Sequence, residues 1–240
     1  MEKLMYLTWL GERSTRSEVA EVLRGRVAEE LLSLDPVRLT IDVWDPESDI
    51  PAPVPTPEGE SPLHGVVSLW VDSIEQRAPF EEVLAAAAVR LAGYSVVESL
   101  YRDYGGNQWG APRSWPDGER SPGVLTVALL QQHPDQSLDE WMTRWHTRIS
   151  PITEEIQPRT RYVRNAVFRP ITDGAPLVSG IVEEAWPSLG HVTDPMLFYC
   201  ADGDAEKMNT NITQMIEEIN AFVDLSTLRS GTMSEWILKS

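Results

Sequence analysis

Short apolar runs alternate with amphipathic stretches along the whole chain. A strand is predicted where an apolar or alternating run is bounded by Gly, Pro or polar residues. Between residues 65 and 73, for example, Val67, Leu69 and Val71 alternate with Ser68, Trp70 and Asp72, which predicts a strand with two different faces. The predicted strands cover residues 3–10, 37–44, 65–73, 94–104, 124–130, 161–168, 180–186 and 232–238.

Four segments between these strands have apolar residues at the three- and four-residue spacing of an amphipathic helix. Pro36 limits the first segment, and Pro79 and Gly93 are placed to begin and end the second. Ser137 and Glu140 have the spacing of a capping box at the start of the third. The predicted helices cover residues 17–34, 79–91, 137–152 and 205–222.

The order of these elements is strand, helix, strand, strand, helix, strand, and it occurs twice. This order is that of the split βαβ, or ferredoxin-like, unit. Gly65-Val66-Val67 in the first half is echoed by Gly180-Ile181-Val182 in the second. A four-stranded sheet covered by its own helices on one face needs cover for the other face. The predicted fold class is therefore α+β, with tandem ferredoxin-like βαββαβ repeats whose sheets pair face to face as a barrel.

The duplication also predicts the domain organisation. Residues 1–104 form an N-terminal half, residues 105–122 a linker rich in Gly, Pro, Trp and Asp, and residues 123–240 a C-terminal half. Within the first half, residues 45–62 contain six prolines and predict an extended, solvated connector, with a proline-recognition segment as the alternative. One chain can complete a barrel as a monomeric pseudo-dimer, and a homodimer of such chains is the alternative.

Charge and cysteine content exclude several classes of protein. The formal net charge of −17 repels nucleic acid and anionic membrane surfaces. The apolar runs are too short to cross a bilayer, and the first ten residues resemble a strand more than a signal peptide. The single cysteine, Cys200, lies in an apolar run and excludes a disulfide within the chain. We therefore expect a soluble, cytoplasmic protein.

The second half resembles a known family. The segment from Ser137 to Trp141, together with Trp145, resembles the helix signature of the EthD family, which belongs to the dimeric α/β-barrel superfamily. Further similar segments match that family's third strand, the Asp before its last strand and the last strand itself: Gly180 to Trp186, Phe222 to Leu225 and Ser234 to Trp236. The resemblance extends from Gly123 to Leu238 and is only architectural before Gly105. One departure is that the family's His-Ala-Pro is replaced by Ile149-Ser150-Pro151.

The resemblance implies a pseudo-dimer of the dimeric α/β-barrel type and a link to catabolic or polyketide-related pathways. The superfamily includes cofactor-free monooxygenases, isomerases, dehydratases and haem-binding enzymes. We therefore expect a barrel pocket that binds a small apolar, aromatic or polyketide-like molecule, with cofactor-free oxidoreductase or proton-transfer chemistry. The alternatives are a non-catalytic accessory module and a haem protein that uses His146. No other cofactor is expected.

Strand alternation suggests which side chains line such a pocket. In residues 124–130 the row of Leu125, Val127 and Leu129 faces away from the row that contains Thr126, and we expect the Thr126 row to face the barrel interior. The candidate catalytic residues are His146, Glu183 and Glu235, and the candidate ligand-binding residues are Thr126, Trp145, Tyr162, Arg164 and Trp186. The competing interpretation is structural: a packing histidine, Glu–Arg pairs and core tryptophans. No spacing of His or Cys predicts a metal site.

Overall fold

The computed structural model describes residues 1–240 and contains eight strands, all paired antiparallel. Their positions agree with the eight predicted strands to within a few residues. The largest shift is at β4, which begins at Arg90 because residues 90–96 pair with β1 and so end the alanine-rich helix before them. The strands are β1 Glu2–Trp9, β2 Arg38–Val43, β3 Gly65–Val71, β4 Arg90–Arg102, β5 Val124–Leu130, β6 Arg161–Pro170, β7 Gly180–Trp186 and β8 Arg229–Lys239.

Four longer helices lie between the strands at the predicted places. Two of them contain a π-helical turn, at Val22–Val27 and Trp145–Ile149. Two short helices between β7 and the last long helix were not predicted. The helices are α1 (residues 16–33), α2 Ala78–Ala87, α3 (residues 138–156), α4 Gly190–Thr193, α5 Pro195–Phe198 and α6 Ala205–Asn220. None of them combines the length and the apolar character needed to cross a bilayer.

The sheet closes on itself in the order β1-β3-β2-β8-β5-β7-β6-β4. Within residues 1–104 the strand order is β4-β1-β3-β2, and within residues 123–240 it is β8-β5-β7-β6, the same order for equivalent strands. The halves join through the pairs β2–β8 and β4–β6. The halves therefore meet edge to edge as well as face to face, and closure leaves no unpaired sheet edge.

Buried side chains occupy the barrel interior and the layer between sheet and helices in each half. The inward rows of the two halves pack together as one apolar cluster that includes Met5, Leu7, Leu125, Val127 and Met233. The expectation that the Thr126 row faces inward is therefore wrong. Both faces of β5 are buried, one by the barrel and one by helices, so alternation separated the two rows without showing which faces inward. The predicted cavity at the centre of the barrel is likewise replaced by packed side chains.

The connector over residues 45–62 is attached to the second half. Val54 exchanges hydrogen bonds with the Ser230 hydroxyl, at 2.9 Å through its amide and 3.1 Å through its carbonyl. Thr232 Oγ1 donates to the Ile50 carbonyl at 3.0 Å, and Arg229 pairs with Glu60 at 2.9 Å. The connector is exposed over much of its length, and the backbone groups of Ile50 and Val54 find hydrogen-bond partners along β8.

The predicted cap of α3 is present and gives a simple test of helix stability. Ser137 Oγ accepts a hydrogen bond from the Glu140 amide at 3.3 Å and satisfies one of the free N–H groups of the first turn. We expect Ser137→Ala to lower the free energy of unfolding by about 1 kcal/mol. Urea denaturation measures this loss, and Ser137→Asn, which keeps a capping oxygen, is expected to recover most of it. Equal losses in both variants would argue against a capping role.

Candidate functional site

A cavity of about 240 Å³ lies between the outer face of the second half's sheet and the helices that cover it. The corresponding layer of the first half is filled by a cluster of 17 buried apolar residues, whereas the second half has a smaller cluster of eight. The cavity is mostly apolar, with polar side chains from three neighbouring strands and from the end of α3. Its polar lining residues are Thr126, Thr153, Gln157, Arg159, Glu184 and Ser230.

A row of three side chains crosses the sheet beneath this cavity. Thr126 of β5 pairs with Glu184 of β7, and Glu184 pairs with Tyr162 of β6. Residues directly opposite one another on antiparallel strands point to the same face, so the hydroxyl, carboxylate and phenol lie side by side. Trp186 fixes the end of this row, since its Nε1 donates to Thr126 Oγ1 at 2.9 Å.

Arg159 is fully buried and holds the polar end of the cavity in place. Its Nη1 donates to Glu184 Oε1 and its Nη2 to Thr153 Oγ1, both at 2.7 Å. The guanidinium lies 3.9 Å from the ring centre of Tyr162. Its Nε is buried without a hydrogen-bond partner, which is costly unless a ligand or a water accepts the bond. The sequence prediction missed both Arg159 and Glu184.

The neighbours of Tyr162 determine the hydrogen bonds and the protonation state of its phenol. Trp145 Nε1 donates to the Tyr162 oxygen at 3.0 Å, and the Ser150 hydroxyl is a second hydrogen-bond partner of the phenol. Burial raises the pKa of Tyr162 above its usual value, so the phenol stays protonated at neutral pH. Tyr162 thus presents a protonated phenol to the cavity, held between Trp145 and Ser150.

Aromatic side chains form the apolar walls. Trp145 packs so closely on β7 that a Cβ at position 180 would lie 2.7 Å from its ring, which requires glycine there. Phe198 ends the unpredicted helix α5, Tyr199 follows it, and both line the side of the cavity opposite to the sheet. Phe198 stacks on Trp186 with ring centres 4.8 Å apart. The insertion between β7 and α6 is therefore what encloses the cavity.

A separate group of charged side chains lies inside the barrel. Lys3 Nζ lies 2.7 Å from Glu98 Oε2, 2.8 Å from Asn165 Oδ1 and 3.1 Å from Glu183 Oε2. Burial raises the pKa of Glu183, but the charges of Lys3 and Arg161 and the hydrogen bond from Asn165 outweigh it, so this pKa lies below its usual value. Glu183 is therefore an ionised carboxylate, and its Oε2 accepts from both Lys3 and Asn165.

Glu235 is partnered in a similar way at the same end of the barrel. It accepts from Tyr104 Oη at 2.7 Å and from Ser121 Oγ at 2.5 Å, and it pairs with Arg161. Burial, together with the charge of Glu235, raises the pKa of Tyr104 well above its usual value. Tyr104, which follows β4, and Ser121 of the linker thus donate hydrogen bonds to Glu235 of β8.

Asp42 is the third carboxyl group of this interior. It is fully buried and neither of its oxygens has a hydrogen-bond partner. Burial and the charges of Glu183 and Glu235 raise its pKa well above the usual value. Its protonated form therefore persists to higher pH than that of an ordinary aspartate, because neither Lys3 nor Arg161 pairs with it.

Comparison with known proteins identifies the fold. No protein-family model matches the sequence, and no curated protein matches it. Among solved structures, an anthrone oxidase-like protein is 11% identical over 98% of this chain and 90% of its own, with a TM-score of 0.55. The chain has an α+β fold in which eight antiparallel strands close a barrel. At this identity the likeness shows the fold alone, and the resemblance to the EthD family stays a resemblance.

Two further solved structures are similar over almost the whole chain. One is a proposed monooxygenase from Lactobacillus acidophilus NCFM, 7% identical over 99% of this chain and 94% of its own, with a TM-score of 0.47. The other is a proposed chlorite dismutase, 10% identical over 98% of this chain and 94% of its own, with a TM-score of 0.45.

The closed barrel separates the sequence-predicted residues into two sites. Thr126, Trp145 and Tyr162 line the cavity beneath the helices, whereas Glu183 and Glu235 lie on the other side of the sheet, inside the barrel. The prediction that all of them converge in one pocket is therefore wrong. The acid that lines the cavity is Glu184, one position along β7.

The remaining predicted residues lie outside the cavity lining. Arg164 donates to Ser150 Oγ at 3.0 Å and lies over the Tyr101 ring, so it holds α3 against the sheet. Trp186 is fully buried next to the cavity and acts on it through Thr126. His146 follows Trp145 in the π-helical turn and its side chain is exposed. Its predicted position on the pocket face is wrong.

The cavity does not fit a haem that is bound through histidine. Its lining contains neither histidine nor cysteine, and His146 is on the outer surface of α3. No three His, Cys, Asp or Glu side chains are arranged to hold a metal ion. We therefore derive no chemical step from haem or a metal.

Proposed function

We propose that this protein binds a small, flat aromatic molecule in the cavity of the second half and removes a proton from it without a cofactor. The cavity supports this proposal because aromatic and aliphatic side chains surround a single polar end. That end combines a carboxylate, Glu184, with a buried donor that has no partner, Arg159 Nε, and with the protonated Tyr162 hydroxyl. This combination of one base and two donors is the observation that carries the proposal.

The proposed reaction uses each group for one role. An aromatic ketone places its carbonyl oxygen against Tyr162 and Arg159, and an acidic C–H bond against Glu184. Glu184 takes the proton, and the two donors stabilise the negative charge that forms on the oxygen. The resulting carbanion reacts with dioxygen, so that one CH₂ group and one O₂ give a C=O group and water.

The anthrone oxidase-like protein of the same fold makes an anthrone the first substrate to test. We further propose that the chain is EthD-like, that its two halves are tandem ferredoxin-like repeats and that it acts as a monomeric pseudo-dimer in the cytoplasm. The matching strand order of the halves, the absence of unpaired sheet edges and the single cysteine support these points.

Replacement of the base tests the chemistry. We expect wild-type protein to consume oxygen with an anthrone and Glu184→Gln to be slower by about 10²–10⁴-fold, the usual contribution of a general base. Binding, followed by native mass spectrometry, is expected to survive within about tenfold, because Gln keeps the shape of the side chain. Glu218→Gln is the matched control, since Glu218 pairs with Arg144 and Arg148 outside the cavity.

Two results would decide against catalysis. Binding of the anthrone without turnover in wild-type protein would favour the second candidate function, a non-catalytic binding module. That candidate is supported by the replacement of the EthD-type histidine with Ile149. Absence of binding by anthrones and related aromatic ketones would remove both candidates.

A further inference from the structure

The mouth of the barrel opposite to the charged interior holds a second and larger cavity, of about 630 Å³. It lies where β1 and β5 end and where β4 and β8 begin, so the apolar layer of the barrel separates it from Lys3 and Glu183. Connector residues 56–61 form one wall, so this proline-rich segment helps to shape the cavity. Nothing in the proposed function uses this cavity.

The floor and part of the rim are apolar. Trp9, Leu63, Val127 and Val178 belong to or pack on the barrel core and line the floor. At the rim, Leu177 is 76% exposed, and Val89 close by is 73% exposed. Large apolar side chains at the entrance of a cavity with an apolar floor are typical of a site for an apolar ligand.

One cation at the rim is free to bind an anion. The Arg90 guanidinium lies over the Trp9 ring at 4.2 Å and forms no ion pair, although its charge, after the hydrogen bond from Arg229, helps to lower the pKa of Glu60. Arg229, in contrast, donates to both carboxylate oxygens of Glu60, at 3.0 and 2.9 Å. Glu12 also reaches the rim, but its side chain is exposed and its charge is screened by solvent.

We propose that the barrel mouth is a binding site for an apolar monocarboxylate, whose carboxylate pairs with Arg90 and whose hydrocarbon part covers the floor. The planar guanidinium suits a carboxylate because it offers parallel donors. The ring of Trp9 holds that guanidinium at the edge of the apolar surface. The site is independent of the proposed reaction, which takes place on the other side of the β5–β7 sheet.

Isothermal titration with decanoate and with the uncharged decanol tests this proposal on the full chain. We expect decanoate to bind at one site per chain and about two- to fivefold tighter than decanol. Arg90→Gln is expected to weaken decanoate binding by the same factor of about two to five, a typical effect for an exposed ion pair, and to leave decanol unchanged. Arg24→Gln is the matched control, because Arg24 also lies over a tryptophan, Trp236, but outside the cavity.

Leu177→Asp provides a second test at a position too exposed to affect folding. The added charge is expected to abolish decanoate binding, whereas Leu138→Asp, at an exposed position on α3, is expected to leave it intact. Equal affinity for decanoate and decanol with no effect of Arg90→Gln, or no saturable binding up to about 1 mM, would overturn the proposal. A change from dimer to monomer in Leu177→Asp without decanoate binding would instead make the mouth a contact between copies.

Discussion

Replacing Lys3 by Met is expected to lower the free energy of unfolding by about 3–5 kcal/mol at neutral pH, the usual cost of leaving a buried charge unpaired. The Lys3 side chain is only 3% exposed and joins strands of both halves, through Glu98 on β4 and Glu183 on β7. Without the ammonium group, Glu183 keeps only the hydrogen bond from Asn165 and must be protonated or remain charged in the barrel.

The pH dependence of this loss distinguishes a charge effect from a packing effect. In wild-type protein the pKa of Glu183 lies below its unfolded value, so its contribution to stability is present above the unfolded pKa and is lost as pH falls through the folded pKa. In Lys3→Met we expect the opposite shift, because burial then acts alone. The difference between the two proteins should therefore be largest near pH 7 and should shrink towards pH 4.

Urea denaturation at several pH values measures both effects. Lys239→Met is the matched control, because Lys239 pairs with Asp35 on the surface and its loss is expected to leave the denaturation midpoint unchanged. The variant Lys3→Met with Glu183→Gln should recover part of the stability, since no charge is then left unpaired. A Lys3→Met protein as stable as wild type at pH 7 would show that Glu183 is not ionised.

The strand and helix pattern could be predicted from sequence because periodicity reports which residues are buried. The eight strands and four long helices were found, and so was the Ser137 cap. The two short helices after β7 were missed, since four-residue helices are too short to show a period. They carry Phe198, so the enclosure of the cavity was missed with them.

The side of the sheet on which each residue lies could not be predicted in the same way. In this barrel one face of the sheet packs against the barrel interior and the other packs against helices. Both faces of a strand are therefore mainly apolar. Alternation therefore groups Thr126 with Ala128 but does not decide which layer they face. Because of this ambiguity, the sequence prediction placed Glu183 in the ligand pocket and omitted Glu184, its neighbour on the opposite face.

Polar residues that interrupt apolar strands indicate the buried charged groups of this barrel, and the sequence prediction included only some of them. Glu183 and Glu235 were noticed because they interrupt apolar strands, and both belong to the buried charge cluster. Lys3 and Asp42 interrupt β1 and β2 in the same manner and were overlooked. Arg159 precedes β6 in an irregular segment, where no period marks it as buried.

Asp42→Asn is expected to make the protein more stable than wild type above about pH 5, by about 1.4 kcal/mol for each further pH unit until the pH reaches the folded pKa of Asp42. That pKa is raised by burial and by the charges of Glu183 and Glu235. A carboxyl group whose folded pKa exceeds its unfolded pKa contributes stability that is complete below the unfolded value. This contribution is lost as the pH rises through the folded pKa. Between the two pKa values the unfolded state has released the proton while the folded state still holds it, and above the folded pKa the folded state buries a charge.

Asparagine has nearly the shape of the protonated carboxyl group and cannot ionise, so the variant should lack this part of the pH dependence. Urea denaturation from pH 4 to 9 measures it, and Asp72→Asn, at an exposed position at the end of β3, should follow the wild-type curve. If Asp42→Asn were less stable at every pH and kept the wild-type slope, Asp42 would have to be ionised and paired. The cation paired with Asp42 would then have to be Lys3 or Arg161, and the ion pairs at this end of the barrel would have to be reassigned.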